Sequence, residues 1–247
     1  MMGIGSTLFQ FDTVQSTNKT AADLFNLSKV RHGAVIVARE QTSGRGQHDR
    51  TWVSGAGLDL TFSVVLEPKG LRAEDQFVLA KMAALAIADV VRPLVNGAVS
   101  IKWPNDILIE REKLAGILIQ NELAGEKMRC SIVGIGLNVN SSGLPVEMVA
   151  TSLLQETGEE HHLPGLLELF CASLEKRWHE TTYDPDGLAA DYTRALWSRG
   201  RWVDMVLDGS PIKARPMDVD RLGRLIVEQE GGDVAAYGLD RLRFAPR

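Results

Sequence analysis

The chain has 247 residues, 45% of them hydrophobic and 24% charged, which is enough apolar material for one large domain, alone or with a small appendix. Its formal charge of −5 argues against a nucleic-acid-binding protein, whose footprint is a basic face, while leaving room for local basic clusters. Cys130 and Cys171 lie far apart in apolar surroundings without metal-ligand spacing and read as reduced core thiols; no apolar run reaches membrane-spanning length, so the expected location is the cytoplasm.

Taken in order, the pattern predicts a short strand from Thr7 to Phe11. A helix follows, capped by Ser16 or Thr17, with Ala21, Leu24, Phe25 and Leu27 on its buried face. The run "GAVIVARE" is a buried strand delivering the chain to the loop "EQTSGRGQHDRTW", residues 40–52. In "LDLTFSVVL", Leu58, Leu60, Phe62, Val64 and Leu66 alternate with Asp59, Thr61, Ser63 and Val65, the period of a strand with one buried face. An alanine-rich helix is expected from about Ala73 to Val91. "VSIKW" with "ILIE", then "GILIQNEL", then "RCSIVGIGLNVN", joined by short turns, suggest an antiparallel meander packed on helices. Two further helices are expected over Leu163–Thr181 and Gly187–Trp197. After Ser198 the texture changes to short β-type runs separated by glycine turns, which reads as a small all-β module.

Three groups of polar residues stand out. Gly44 and Gly46 bracket Arg45, so backbone N–H groups there can approach an anion that the guanidinium neutralises, although such a loop also serves as a plain turn. It is neither a Walker loop nor a Rossmann fingerprint. Trp52 reads either as a stacking platform or as a large core residue. Lys102, Asn105, Asp106 and Lys113 crowd a strand–turn–strand segment interrupted by Pro104; taken singly, Lys113 reads as solvated and Asp106 competes as an Asx-turn residue. Asn138 and Asn140 end an apolar strand, as a hydrogen-bonding site or a turn. The histidines at 32, 48, 161, 162 and 179 make no ligand set, and no nucleophile motif is present, so a reaction driven by positioning and electrostatics is the better reading.

The motifs "STN" at 16–18, "GRG" at 44–46 leading to Trp52, "KWPND" at 102–106, "KLAG" at 113–116 and "GIGLNVN" at 134–140, in this order and spacing, resemble those of biotin protein ligases. The resemblance is strong over residues 7–140 and looser beyond. It implies an α/β (α+β) catalytic domain around a mixed, mainly antiparallel sheet, residues 1–198, followed by a small SH3-like β-barrel, residues 199–247. It also implies that biotin and MgATP form biotinyl-5′-adenylate, which a lysine of a biotin carboxyl carrier domain then attacks. By resemblance Lys113, Arg45 and Lys102 are the catalytic cations, and Ser16, Thr17, Asn18, Gln41, Gly46 and Gln47, with Arg45 and Lys113, bind biotin. Gly44, Arg50, Trp52, Asn105, Asp106, Asn138 and Arg243 then belong to ATP, with magnesium at Asp106.

Departures from the family pattern are Asp49, where a third loop glycine is common, Gln47 in place of a further arginine, and Gln120, where an acidic residue is frequent. The first catalytic-type strand begins within ten residues of Met1, so the expectation is a form without the N-terminal DNA-binding domain, acting as monomer or homodimer and away from nucleic acid and membrane. The competing readings are a lipoate or octanoate ligase and a non-catalytic biotin-binding regulatory protein.

Overall fold

The computed structural model describes residues 3–47, 50–144 and 149–246. Seven strands form one mixed sheet: β1 (Thr7–Val14), β2 (Ala34–Gln41), β3 (Leu60–Leu66), β4 (Val99–Lys102), β5 (Asp106–Ile109), β6 (Glu112–Ala124) and β7 (Lys127–Leu137). Their spatial order is β1-β2-β3-β7-β6-β5-β4; β1 and β2 pair in parallel and the remaining neighbours antiparallel. The strands β4 to β7 are the expected meander. Among the described residues five helices accompany them: α1 (Thr17–Asn26), α2 (Phe77–Val91), α3 (Leu153–Thr157), α4 (Leu163–Tyr183) and α5 (Pro185–Ala195). No helix among the described residues is long and apolar enough to cross a membrane.

Sequence periodicity assigns each helix to a face. Ten of the fifteen residues of α2 are buried, including Ala83, Ala84, Ala86 and Ala88, because this helix lies between the sheet and α4 with α5 alongside. Its small side chains let it approach closely, and Met82, Leu85, Phe170 and Leu174 share one core with Phe62, Val64, Val133 and Ile135. Helix α1 covers the opposite face, where Ala21 and Phe25 meet Ile36, Val65, Cys130 and Ile132. Losing the Phe25 ring from that smaller core would cost about 3 kcal/mol. Both cysteines are buried and unpaired, and burial pushes the thiol of Cys130 up to about 12 and that of Cys171 to about 11.

Two expectations are corrected. All seven residues of β3 are buried, so its polar side does not face water. It lies beneath α1, where Thr61 Oγ1 donates to Ala38 O and Ser63 Oγ bonds to residues of α1. The helix expected from Ala73 begins only at Phe77; residues 73–75 make a single 3₁₀ turn. That turn is anchored separately, by Ala73 N–H to Glu126 O at 2.9 Å and by an ion pair between Asp75 and Arg221.

The last strands, β8 (Val203–Leu207), β9 (Ser210–Val219), β10 (Leu225–Gln229), β11 (Val234–Tyr237) and β12 (Leu242–Phe244), form a second, antiparallel sheet in the order β11-β10-β9-β8-β12, a small C-terminal β domain. It docks through specific groups. Trp103 Nε1 donates to Gly223 O at 2.9 Å, and the buried Lys81 Nζ donates to Val219 O at 3.3 Å between the rings of Phe77 and Tyr192. Burial lowers the Lys81 pKa, with Asp218 and Asp220 opposing the shift.

The helical layer is tied by Arg177, whose guanidinium reaches Asp89 on α2 at 2.7 Å, Glu180 at 2.7 Å and Asp191 on α5 at 2.8 Å. The Arg177 hydrogen bond holds the Asp191 carboxyl below its usual range, partial burial opposing and Arg194 reinforcing. A depressed carboxylate pKa contributes stability above the unfolded value, and that contribution is lost as pH falls through the folded value. Arg177→Met is therefore expected to cost about 2 kcal/mol at neutral pH, the low side for a buried pair because its carboxylates are partly hydrated. The difference from wild type should shrink on acidification below the ordinary carboxylate range. Urea unfolding of both proteins across that range checks this, and a difference independent of pH contradicts it.

Candidate active site

The site begins where the sheet loses its side chains. On the α1 face of β7, Cys130 and Ile132 are followed at the same two-residue period by Gly134 and Gly136. Gly136 pairs across strands with Gly116 of β6, and Gly134 with Ser63 of β3 and Leu118 of β6. These bare positions are occupied from above. A Cβ on Gly134 would stand 2.1 Å from Asn18 Oδ1, and one on Gly136 would stand 2.2 Å from the indole Cε2 of Trp52. Either is far inside van der Waals contact, so the glycines are what admit these side chains.

Asn18 enters from the first turn of α1. Its Nδ2 donates to Leu118 O at 3.1 Å, and its Oδ1 lies 2.7 Å from Ser63 Oγ. Thr17 receives Gln41 from the end of β2: Thr17 N–H donates to Gln41 Oε1 at 2.8 Å, with Thr17 Oγ1 3.2 Å from the same oxygen. Ser16 occupies the N-cap position of α1 without making a side-chain capping bond.

The described residues of the glycine loop pair across it in antiparallel fashion. Arg45 bridges Thr51, Gly46 N–H donates to Arg50 O at 2.6 Å, and Trp52 N–H donates to Gly44 O at 3.0 Å. Gly44 is buried behind Trp52, whose carbonyl oxygen would stand 2.3 Å from a Cβ there. Asp49 and His48 lie outside the described residues. The indole rests against Gly116 and Gly136 with Lys113 Nζ 5.4 Å from its ring centre, and its buried Nε1 has no hydrogen-bond partner.

The turn between β4 and β5, with a cis peptide before Pro104, carries the next group. Asn105 is held by its backbone and its amide to Ile117, the amide at 2.8 Å from Ile117 O. Lys113 is not solvated as its isolated sequence context suggests: its Nζ is 2.7 Å from Asp106 Oδ1, with the two side chains 32% and 23% exposed. Lys102 Nζ sits 5.5 Å from the centre of the Phe244 ring of β12, which itself packs edge-on against Trp197. Asn138 donates its amide to Thr151 O at 2.9 Å and Lys113 O at 3.4 Å, joining β6 to the segment before α3.

These pieces enclose one cavity of about 1110 Å³. Every predicted site residue except Gly44 lines it: Ser16, Thr17, Asn18, Gln41, Arg45, Gly46, Gln47, Arg50, Trp52, Lys102, Asn105, Asp106, Lys113, Asn138 and, from the C-terminal domain, Arg243. Five of these are cations, Arg45, Arg50, Lys102, Lys113 and Arg243, against the carboxylates Asp106 and Asp240. In a chain of charge −5, that local excess concentrates positive potential where an anion would enter. The polar cradle under α1 is instead nearly uncharged, so the cavity has one end suited to a neutral polar head and another suited to phosphate.

Sequence reading missed Ser63 and Asp59, both assigned to a solvent face by alternation. Asp59 is buried, accepting from Gly55 N at 2.8 Å, Val139 N at 2.9 Å and Ser141 Oγ at 2.6 Å, so it ties the end of the glycine loop to the end of β7. The period-two glycines of "GIG" were the available signal that something must cover this sheet face.

A family model described as the biotin/lipoate A/B protein ligase family matches residues 10–138. The bifunctional ligase/repressor BirA of Bacillus spizizenii is 33% identical over 96% of this chain and 74% of its own length. The biotin–[acetyl-CoA-carboxylase] ligase of Mycobacterium tuberculosis is 32% identical over 97% of this chain and 91% of its own. A biotin protein ligase from Aquifex aeolicus, solved in complex with biotin and ATP, superimposes with a TM-score of 0.81 at 25% identity, covering 97% of this chain and 100% of that one.

The Asp59 anchor generates a test that needs no ligand. Asp59→Ala leaves two backbone N–H groups without their carboxylate, at about 3 kcal/mol in total. Amide exchange at Gly55 and Val139 is expected to accelerate more than at strand β3 as a whole. Uniform protection equal to wild type would show that Asp59 does not hold the loop.

Proposed function

Because the chain belongs to the biotin/lipoate A/B protein ligase family, we propose that this cavity is where biotin and ATP are joined and where the product is held for transfer. The activity is that of an ATP-dependent biotin–[acetyl-CoA-carboxylase] ligase. The observation that carries the assignment to this site is the meeting of an uncharged polar cradle, Thr17, Asn18 and Gln41, with the cationic group Arg45, Lys113 and Lys102 in one enclosure.

Biotin has those two ends. Its ureido head needs hydrogen-bond partners when buried, each unpaired polar group costing about 1–3 kcal/mol. Ser16, Thr17, Asn18 and Gln41 supply them. Its carboxylate must attack the α-phosphate of ATP, and two anions at 4 Å repel by about 4 kcal/mol at an effective dielectric constant near 20. Lys113, Arg45 and Lys102 offset that repulsion and stabilise the charge developing in the transition state. Carboxylate oxygen bonds to phosphorus, pyrophosphate departs, and the mixed anhydride biotinyl-5′-adenylate remains. In the second step a lysine of a biotin carboxyl carrier domain attacks the carbonyl carbon and AMP leaves. Gly46 and Gln47 close the loop over the biotin side, while Arg50, Trp52, Asn105, Asn138 and Arg243 surround the nucleotide and Gly44 lies behind Trp52, away from it. The adenylate-forming machinery in this reading occupies residues 1–198, and residues 199–247 contribute Arg243 as a small appended domain.

Magnesium fits the donor set in one respect. Asp106 is a carboxylate facing the cationic end, and no group of three or more His, Cys, Asp or Glu among the described residues forms a protein cage. One carboxylate plus substrate phosphates is a common way to hold this ion. Asp106 with Asn105 would hold it, and when bound it neutralises phosphate charge. Asp106 also holds Lys113 at 2.7 Å, so the lysine starts beside the phosphate site in a defined position.

Exchange of labelled pyrophosphate into ATP that depends on added biotin tests the reading. Wild type should show it, and Lys113→Ala should lose about 100-fold or more, in line with removal of a transition-state cation, while its thermal unfolding stays cooperative. Near wild-type exchange in the variant removes Lys113 from the mechanism, and no exchange in wild type removes the activity from this chain.

A further inference from the structure

Ser63 does not line the cavity, yet its hydroxyl touches both principal groups of the cradle: Oγ is 2.7 Å from Thr17 Oγ1 and 2.7 Å from Asn18 Oδ1. It is fully buried at the centre of β3. One hydroxyl has one proton, so these two contacts have a direction, and the neighbours decide it. Asn18 Nδ2 faces Leu118 O, which only accepts; the carboxamide therefore cannot turn over without setting two oxygens against each other. Asn18 Oδ1 is then fixed toward Ser63, and as an acceptor it requires the Ser63 proton. Thr17 must consequently donate to Ser63, since two hydroxyl oxygens 2.7 Å apart need a proton between them and that of Ser63 is committed to Asn18; the Thr17 contact to Gln41 Oε1, at 3.2 Å, is the longer one.

We propose that Ser63 is a positioning residue that sets the hydrogen-bond polarity of the biotin cradle. The relay runs from Thr17 O–H to Ser63 O–H to Asn18 Oδ1. It leaves Thr17 Oγ1 and Asn18 Oδ1, on two residues that line the cavity, with lone pairs the relay does not use, and Asn18 with one remaining N–H. That pattern of two acceptors and a donor complements a cyclic urea, which offers two N–H groups and one carbonyl. It gives nothing to a fatty-acyl or dithiolane head, which has neither. In this chain the discrimination between a ureido acid and an apolar acid thus depends on a buried hydroxyl one layer behind the ligand, whose place opposite Gly134 gives it access to Asn18.

The inference rests on the ligase reading, and Ser63→Ala separates the two. Biotin and ATP affinities are measured for wild type and variant by titration calorimetry, with thermal unfolding and with kcat and KM of biotin-dependent pyrophosphate exchange. The variant leaves Thr17 and Asn18 in place but free to reorient. The biotin Kd and KM should rise about tenfold, the scale of one to two buried hydrogen bonds. The affinity for ATP and kcat at saturating biotin should stay near wild type, with the melting temperature lowered by no more than the loss of these buried hydrogen bonds. Desthiobiotin, which retains the urea and lacks the ring sulfur, should be weakened by the same factor as biotin. An unchanged biotin Kd overturns the proposal, as does a parallel loss of biotin affinity, ATP affinity and melting temperature, which would mark Ser63 as a packing residue. A wild-type protein that binds no biotin would instead remove the ligase reading on which the proposal stands.

Discussion

The structure around the cavity depends on the missing side chains at Gly116, Gly134 and Gly136. Any Cβ at Gly134 or Gly136 would collide with Asn18 or Trp52, so the distance of α1 and of the glycine loop from the sheet is set by these bare positions. With them, a carboxamide lies over β7 between β3 and β6, and an indole rests against the paired glycines of β6 and β7. Farther along the same face, where β7 carries Cys130 and Ile132, α1 packs with Ala21 and Phe25 in an ordinary apolar contact. One strand thus changes from core to cradle over four residues without leaving its ladder.

The second constraint is electrostatic. An acidic chain gathers Arg45, Arg50, Lys102, Lys113 and Arg243 around one space from four separate segments. Their mutual repulsion is moderated locally, Lys113 by Asp106 and Lys102 by the face of Phe244, and an anionic ligand relieves it further. Arg243 and Phe244 come from β12, so the C-terminal domain must be docked for the cationic end to be complete. Trp103, Lys81 and Thr193 bind its backbone and Asp218 close to the same turn that carries Asn105 and Asp106. Docking and site assembly therefore share the segment 102–106.

Most of the architecture was legible in the sequence because local pattern and tertiary role agree there. The β4–β7 meander, α1, α4, α5 and the change of texture after Ser198 follow from periodicity and turn residues. The residues gathered in the cavity were legible through motifs in a fixed order, which carry long-range information that periodicity lacks. Failures occurred where tertiary cover reversed a local rule. Alternation correctly separated two faces but sent Thr61 and Ser63 of β3 to water, since nothing in that strand announces that α1 lies over it, and Asp59 likewise, which is covered instead by its bonds to Gly55, Val139 and Ser141. The 3₁₀ turn at 73–75 arises from contacts to Glu126 and Arg221, distant in sequence. Gly44 was grouped with ligand-facing residues because it shares a motif with Arg45, whereas its neighbour Trp52 closes over it.

In the proposed arrangement one cavity holds the urea of biotin under α1 and its carboxylate among the cations. A crystal structure of this chain with biotin measures that directly. The bicyclic head is expected against Asn18 above Gly134, its ring N–H groups directed at oxygens of Thr17 and Asn18, and the carboxylate within ion-pair distance of Lys113 or Arg45. Biotin bound with its carboxylate under α1, or bound outside this cavity, would contradict it.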